Sequence, residues 1–160
     1  MLTMNQPTNL IKTPTRTLFA WALLGYVGLV LFFEFFDLLL PEGGSRIVDR
    51  AAAADFVTLT TVALPIVAVL LATQVAPVLP ERKLIAFIAL IEYGVIVLFG
   101  LISFLLGLGA VTDSLSALDL LGYLVLRLAG LAIAALAGFY TLNKWSGGNG
   151  SANPSPPSAI

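Results

Sequence analysis

Residues 18–40 read LFAWALLGYVGLVLFFEFFDLLL, an apolar run of 23 residues interrupted only by Glu34 and Asp37. About 20 apolar residues in helical conformation are enough to cross the hydrocarbon of a bilayer. A cleaved signal peptide would have a shorter apolar core, of about 7–15 residues, followed by a small-residue cleavage site. We therefore predict that this run forms an uncleaved transmembrane helix.

The rest of the chain is apolar in the same way. Hydrophobic residues make up 59% of the 160 and charged residues 11%, whereas soluble domains average about 45–50% and about 25%. Three more apolar runs predict helices over 56–79, 84–108 and 119–142. The expected fold is all-α, a polytopic membrane protein whose four-transmembrane-helix bundle covers residues 17–144. Residues 1–16 and 145–160 are polar and contain several prolines, so we expect both ends to be disordered.

The basic residues between the runs predict the orientation, because short cytoplasmic loops are enriched in lysine and arginine. One side of the predicted bundle holds five of these residues: Lys12, Arg16, Arg82, Lys83 and Lys144. The other side holds Arg46 and Arg50 among several carboxylates. Both termini are therefore predicted to be cytoplasmic, in a plasma membrane.

Several kinds of chemistry are excluded by composition. The chain has no cysteine and no histidine, which removes thiolate metal sites, imidazole-ligated haem, copper and zinc, and the usual general base near neutral pH. No nucleophile turn or phosphate-binding glycine loop occurs, and no basic stripe suits nucleic acid. We expect no enzyme activity, no catalytic residue, no metal and no cofactor, with the lipid bilayer as the first partner.

Asp37 is expected to reach the outer surface of the membrane, which leaves three charged residues well inside the predicted helices: Glu34, Glu92 and Arg127. A charge within a membrane costs about 2.5–3.5 kcal/mol on insertion scales, so each one needs an explanation. Counting about 1.5 Å per residue from the expected boundaries puts Arg127 between the two carboxylates, about 6 Å in depth from each. This intramembrane charge network could be a structural ion pair, a proton or ion pathway in which Glu92 titrates, or a ligand or lipid-headgroup site around Arg127.

Small residues share a face with two of these charges, and such faces mark close helix–helix packing in membranes. They are Gly100, Ser103 and Gly107 on the third predicted helix, and Gly130, Ala134 and Gly138 on the fourth. The first helix has no such face through Glu34 and is expected to be peripheral. In the second, Pro65 deprives the carbonyl of Thr61 of its helical hydrogen bond, which predicts a kink.

Residues 64–104, LPIVAVLLATQVAPVLPERKLIAFIALIEYGVIVLFGLISF, combine an apolar helix that opens on a proline, a small basic turn and a second apolar helix. With the polar start and the low-complexity tail, this arrangement resembles the actinobacterial four-span membrane proteins related to a mycobacterial 34-kDa antigen. The resemblance implies an envelope-associated membrane protein with no known catalysis.

The functional hypothesis that follows is a non-enzymatic tetraspan protein of a bacterial plasma membrane, acting as an accessory, scaffold or assembly subunit with a protein partner or as a homo-oligomer. The alternative is a small proton- or ion-coupled transporter or channel that uses Glu92 and Arg127. A holin-like pore is a third possibility.

Overall fold

The computed structural model describes residues 12–40, 45–75, 78–112 and 115–146. Across these residues the chain forms five helices: α1 (Lys12–Leu39), α2 (Ile47–Ala53), α3 (Leu59–Thr73), α4 (Arg82–Thr112) and α5 (Ala117–Ser146). The all-α prediction is thus confirmed. Three helices, α1, α4 and α5, are long and apolar enough to cross a membrane, and α3 is a shorter apolar helix.

The first and last long helices extend beyond their predicted ends. α1 begins at Lys12, although residues 12–16 were expected to be disordered. Pro14 is compatible with this start, because the first turn of a helix leaves its backbone N–H groups without helical partners and a missing N–H there costs nothing. α5 continues to Ser146, past the expected end at 142. The remaining parts of the two ends, 1–11 and 147–160, lie outside the described residues.

The helix predicted over 56–79 is the shorter α3, preceded by an extended link and by α2. Ala54 and Thr58 both have extended backbone angles. A reciprocal cap fixes the start of α3, since the Thr58 hydroxyl accepts from the Thr61 N–H at 3.1 Å and the Thr61 hydroxyl accepts from the Thr58 N–H at 2.9 Å. Fifteen residues span about 22 Å, less than a hydrocarbon core of about 30 Å. Pro65 lies inside α3, and the kink remains a prediction.

Contacts between helix ends give the direction of each helix. The Trp21 indole N–H donates to Glu81 at 3.3 Å, which places the start of α4 beside the start of α1. Arg16 donates to the carbonyls of Leu71 and Val75, so α3 ends where α1 begins. We call this the basal end of the bundle. The end of α5 is also basal, because the Trp145 ring lies 6.2 Å from that of Phe87 near the start of α4. α1 and α4 therefore run parallel, opposite to α3 and α5.

The core consists of two apolar clusters, one in each half of the bundle. One cluster includes Phe56 and Ile96 and the other includes Val69 and Ile85. α1 contributes to both, with Leu31 in the first and Leu24 in the second. By contrast, α5 has three buried residues, Ala134, Ala137 and Thr141. The helix that was expected to be peripheral is thus part of the core, and α5 is the more exposed helix.

Candidate functional site

The small residues of α4 and α5 set the register of these two helices. Three close contacts define it: Gly107 with Tyr123, Gly100 with Leu131, and Tyr93 with Gly138. The antiparallel spacing of these pairs puts Arg127 level with Ser103. Ser103 and Ala134 are themselves buried in this region.

The link between α2 and α3 fills the groove along these small residues. A Cβ atom at Gly100 would lie 2.7 Å from Val57, and one at Gly130 would lie 2.9 Å from the same side chain. A Cβ atom at Gly107 would lie 2.8 Å from Cα of Ala52 in α2. The absence of side chains at these three glycines is therefore what lets α2 and Val57 pack between α4 and α5.

Arg127 binds the end of α2. Its Nη2 donates to the carbonyl of Ala52 at 3.2 Å, and its Nη1 lies 3.5 Å from Oδ1 of Asp55. The Asp55 side chain is 66% exposed, against 15% for Arg127, so the ion pair itself contributes about 0–1 kcal/mol. The carbonyl contact matters more, because a cation at a helix C-terminus complements the helix dipole. The Tyr123 ring centroid lies 5.6 Å from the guanidinium carbon.

Asp55 also connects Arg127 to Glu34. The backbone N–H of Asp55 donates to Oε2 of Glu34 at 3.0 Å. Two cavities adjoin this junction. One of about 430 Å³ is lined by Asp55 and Arg127, and one of about 290 Å³ is lined by Glu34, Asp37 and Arg50. Two of the three charges predicted to form a network thus meet around one residue of the link.

A second arginine, Arg50, binds the end of α1 at the end of the bundle opposite the basal end, which we call the distal end. Arg50 Nε donates to the carbonyl of Leu38 at 3.1 Å, and its Nη1 donates to the carbonyl of Ser45 at 2.7 Å. Together with Arg16 at the end of α3 and Arg127 at the end of α2, it makes a third arginine that binds carbonyls at a helix C-terminus. Each of these arginines joins its own helix to the C-terminal end of another one, where backbone acceptors lack helical partners.

Glu92 lies apart from this junction. Along α4 it is about 11 residues, or roughly 17 Å, from the level of Arg127, compared with the 6 Å expected from sequence. The difference arises because α4 and α5 have 31 and 30 residues, more than the hydrocarbon core needs. Depths counted from an assumed boundary are therefore shifted.

The Glu92 side chain is only 7% exposed. Its Oε2 atom is buried and has no hydrogen-bond partner among the described residues. Its Oε1 atom faces α1, where a Cβ at Gly28 would lie 3.7 Å away. The next residue, Tyr93, is better satisfied, since its hydroxyl donates to the carbonyl of Val62 on α3.

Four residues of this region were missed by sequence reasoning: Gly28, Asp55, Val57 and Tyr93. Asp55 was counted only as a loop charge, and Val57 looks like any apolar residue of a membrane helix. The Thr58-x-x-Thr61 spacing was the available signal, because threonine at an N-cap marks a helix start. It would have placed Asp55 and Val57 in a link before that start.

In the described part of the chain, no three acidic side chains are grouped in a way that could hold a metal ion. No family model, curated protein or solved structure matches this chain. The function is therefore inferred from the geometry of the chain itself.

Proposed function

We propose that this chain is a four-crossing integral membrane protein of a bacterial plasma membrane and serves as a non-enzymatic accessory or assembly subunit. Three crossings correspond to α1, α4 and α5, which are long and apolar enough. The fourth is assigned to α3 together with the link and α2. The alternating directions of the helices support this assignment. Cytoplasmic termini would put the basal end, with Arg82 and Lys83, inside.

The observation that carries the proposal is Glu92. A buried carboxyl group without a partner is destabilising for the isolated chain, and a contact made in an assembly would remove that cost. Among the described residues, the exposed apolar side chains of α5, such as Leu126, Leu136 and Phe139, offer a membrane-embedded surface to a partner. The family resemblance, which also implies an envelope-associated protein without catalysis, remains a prediction.

The test is the composition of the protein in its own membrane. The full chain, extracted with native lipid into nanodiscs and analysed by native mass spectrometry, is expected to carry a second protein or further copies of itself. Crosslinking in the membrane before extraction serves as the control for dissociation. A solitary monomer in both experiments would contradict the proposal.

A proton- or ion-coupled transporter is the second candidate, and the same buried carboxyl favours it. Glu92 lines neither of the two distal cavities, so a pathway would need an opening elsewhere. Flux through proteoliposomes would decide, with Glu92→Gln as the variant and the exposed Glu81→Gln as the matched control. Equal flux in the wild type and Glu92→Gln would eliminate this candidate.

A further inference from the structure

The carboxyl group of Glu92 lies behind an exposed glycine of α1, Gly28. Gly28 is exposed and lies near the middle of α1. Of the atoms beyond its own helix backbone and chain neighbours, Oε1 of Glu92 is the one within 4 Å of a Cβ built there. A side chain entering from the membrane at this point would therefore meet the carboxyl group first. We call this position the Gly28 notch.

The notch belongs to a face that a second helix can approach closely. Ala22, Gly25 and Gly28 are all exposed and follow one another at three-residue spacing. A Cβ at Gly25 would have nothing within 4 Å. Small residues allow the backbones of two membrane helices to come close, where weak polar contacts become effective.

The missing partner of Glu92 indicates the charge of the group that would occupy the Gly28 notch. A carboxylate removed from water is stabilised by a cation that also donates hydrogen bonds. In this chain the nearest basic residues on the same helix, Arg82 and Lys83, are about 14–15 Å away along α4. Arg127 is about 17 Å away and already binds Ala52 and Asp55.

A second copy of the chain in the same orientation cannot supply that cation, because its basic residues would lie at these same depths. The occupant must come from a different protein with a basic residue near mid-membrane. We propose that the face formed by Ala22, Gly25 and Gly28 docks a partner transmembrane helix whose lysine or arginine enters the Gly28 notch and pairs with Glu92. This inference rests on the proposed role as an assembly subunit and names the chemistry of the partner.

The experiment uses the full chain in liposomes and a defined probe. The probe is a synthetic single-span Leu/Ala helix with one central lysine, and the same helix with leucine in that position is its reference. Association is measured by energy transfer between a donor on the chain and an acceptor on the peptide. The lysine helix is expected to bind about tenfold more tightly than the leucine helix, in line with polar contacts of 1–2 kcal/mol in membranes.

Two variants assign that preference to the notch. Glu92→Gln should abolish it, since the amide retains the shape but not the charge. Gly28→Leu should abolish it by filling the notch, whereas Gly94→Leu, at an exposed glycine with nothing within 4 Å of its Cβ, should retain it. Circular dichroism of each variant verifies that the helices are intact.

A lysine helix that binds no better than the leucine helix would overturn the inference. So would a Glu92→Gln variant that prefers the lysine helix as strongly as the wild type does. These outcomes are independent of the test of function. The chain can copurify with another protein and still show no preference for the lysine helix. In that case the subunit role is supported and the proposed docking site is wrong. A chain that is solitary in its native membrane but prefers the lysine probe would show the reverse.

Discussion

The substitution Gly107→Ala tests whether α2 packs directly against α4 at this glycine. The new Cβ would lie 2.8 Å from Cα and 3.0 Å from the backbone nitrogen of Ala52. Contacts between carbon atoms are optimal at about 3.5–4.0 Å, so α2 would have to move outward by about 1 Å. Overpacking of this kind costs about 1–3 kcal/mol. Movement of α2 would also lengthen the hydrogen bond from Arg127 to the Ala52 carbonyl.

Gly109→Ala is the matched control, because a Cβ at Gly109 in the same helix has nothing within 4 Å. Both variants exchange glycine for alanine within α4, so the gain in helix propensity is shared and cancels in the comparison. The free energy of unfolding of Gly107→Ala should therefore fall below that of Gly109→Ala by about 1–3 kcal/mol. Unfolding in mixed micelles, followed by circular dichroism as the denaturing detergent increases, measures this difference. Equal midpoints would refute the packing of α2 against Gly107.

Three further predictions test individual contacts by the same unfolding assay. Tyr93→Phe removes the hydroxyl that donates to Val62 and should cost about 0.5–1.5 kcal/mol; no loss of stability would mean that the bond contributes nothing. Arg127→Met should destabilise more than Asp55→Asn, because it removes the α2 carbonyl contact as well as an ion pair worth about 0–1 kcal/mol. Equal effects of the two would assign the contribution to the ion pair instead. Thr58→Ala removes the N-cap of α3 and should cost about 0.5–2 kcal/mol, while Thr58→Ser should retain most of the stability; equal losses would count against the cap.

The fold class could be predicted from sequence because apolar runs long enough to cross a membrane are rare in soluble proteins. The runs that became α1, α4 and α5 were found for this reason, although their ends shifted by several residues. The run at 56–79 contains no charged residue, so its hydropathy predicts one continuous helix. In the structure, the reciprocal hydrogen bonds between Thr58 and Thr61 start α3 at Leu59 instead. A hydropathy average does not detect such hydrogen bonds.

The partners of the buried charges could not be predicted from the sequence, for a different reason. Which residues meet across two helices depends on their register, and here register is set by where glycines admit Tyr123, Leu131 and Val57. The sequence shows that the glycines share a face but not what each one contacts. Arg127 was therefore placed by depth between Glu34 and Glu92, whereas the register of α4 and α5 brings it to Ala52 and Asp55.

The seven residues of α2 have a consequence for biosynthesis. Isolated helices shorter than about 12–15 residues are marginal in water, so α2 depends on the groove that α4 and α5 provide. Arg127 follows Ala52 by 75 residues, which at synthesis rates of about 5–20 residues per second is a delay of roughly 4–15 s. We therefore expect α2 to remain unpacked until α4 and α5 have inserted into the membrane. The distal end of the bundle would then close only after α5 has been made.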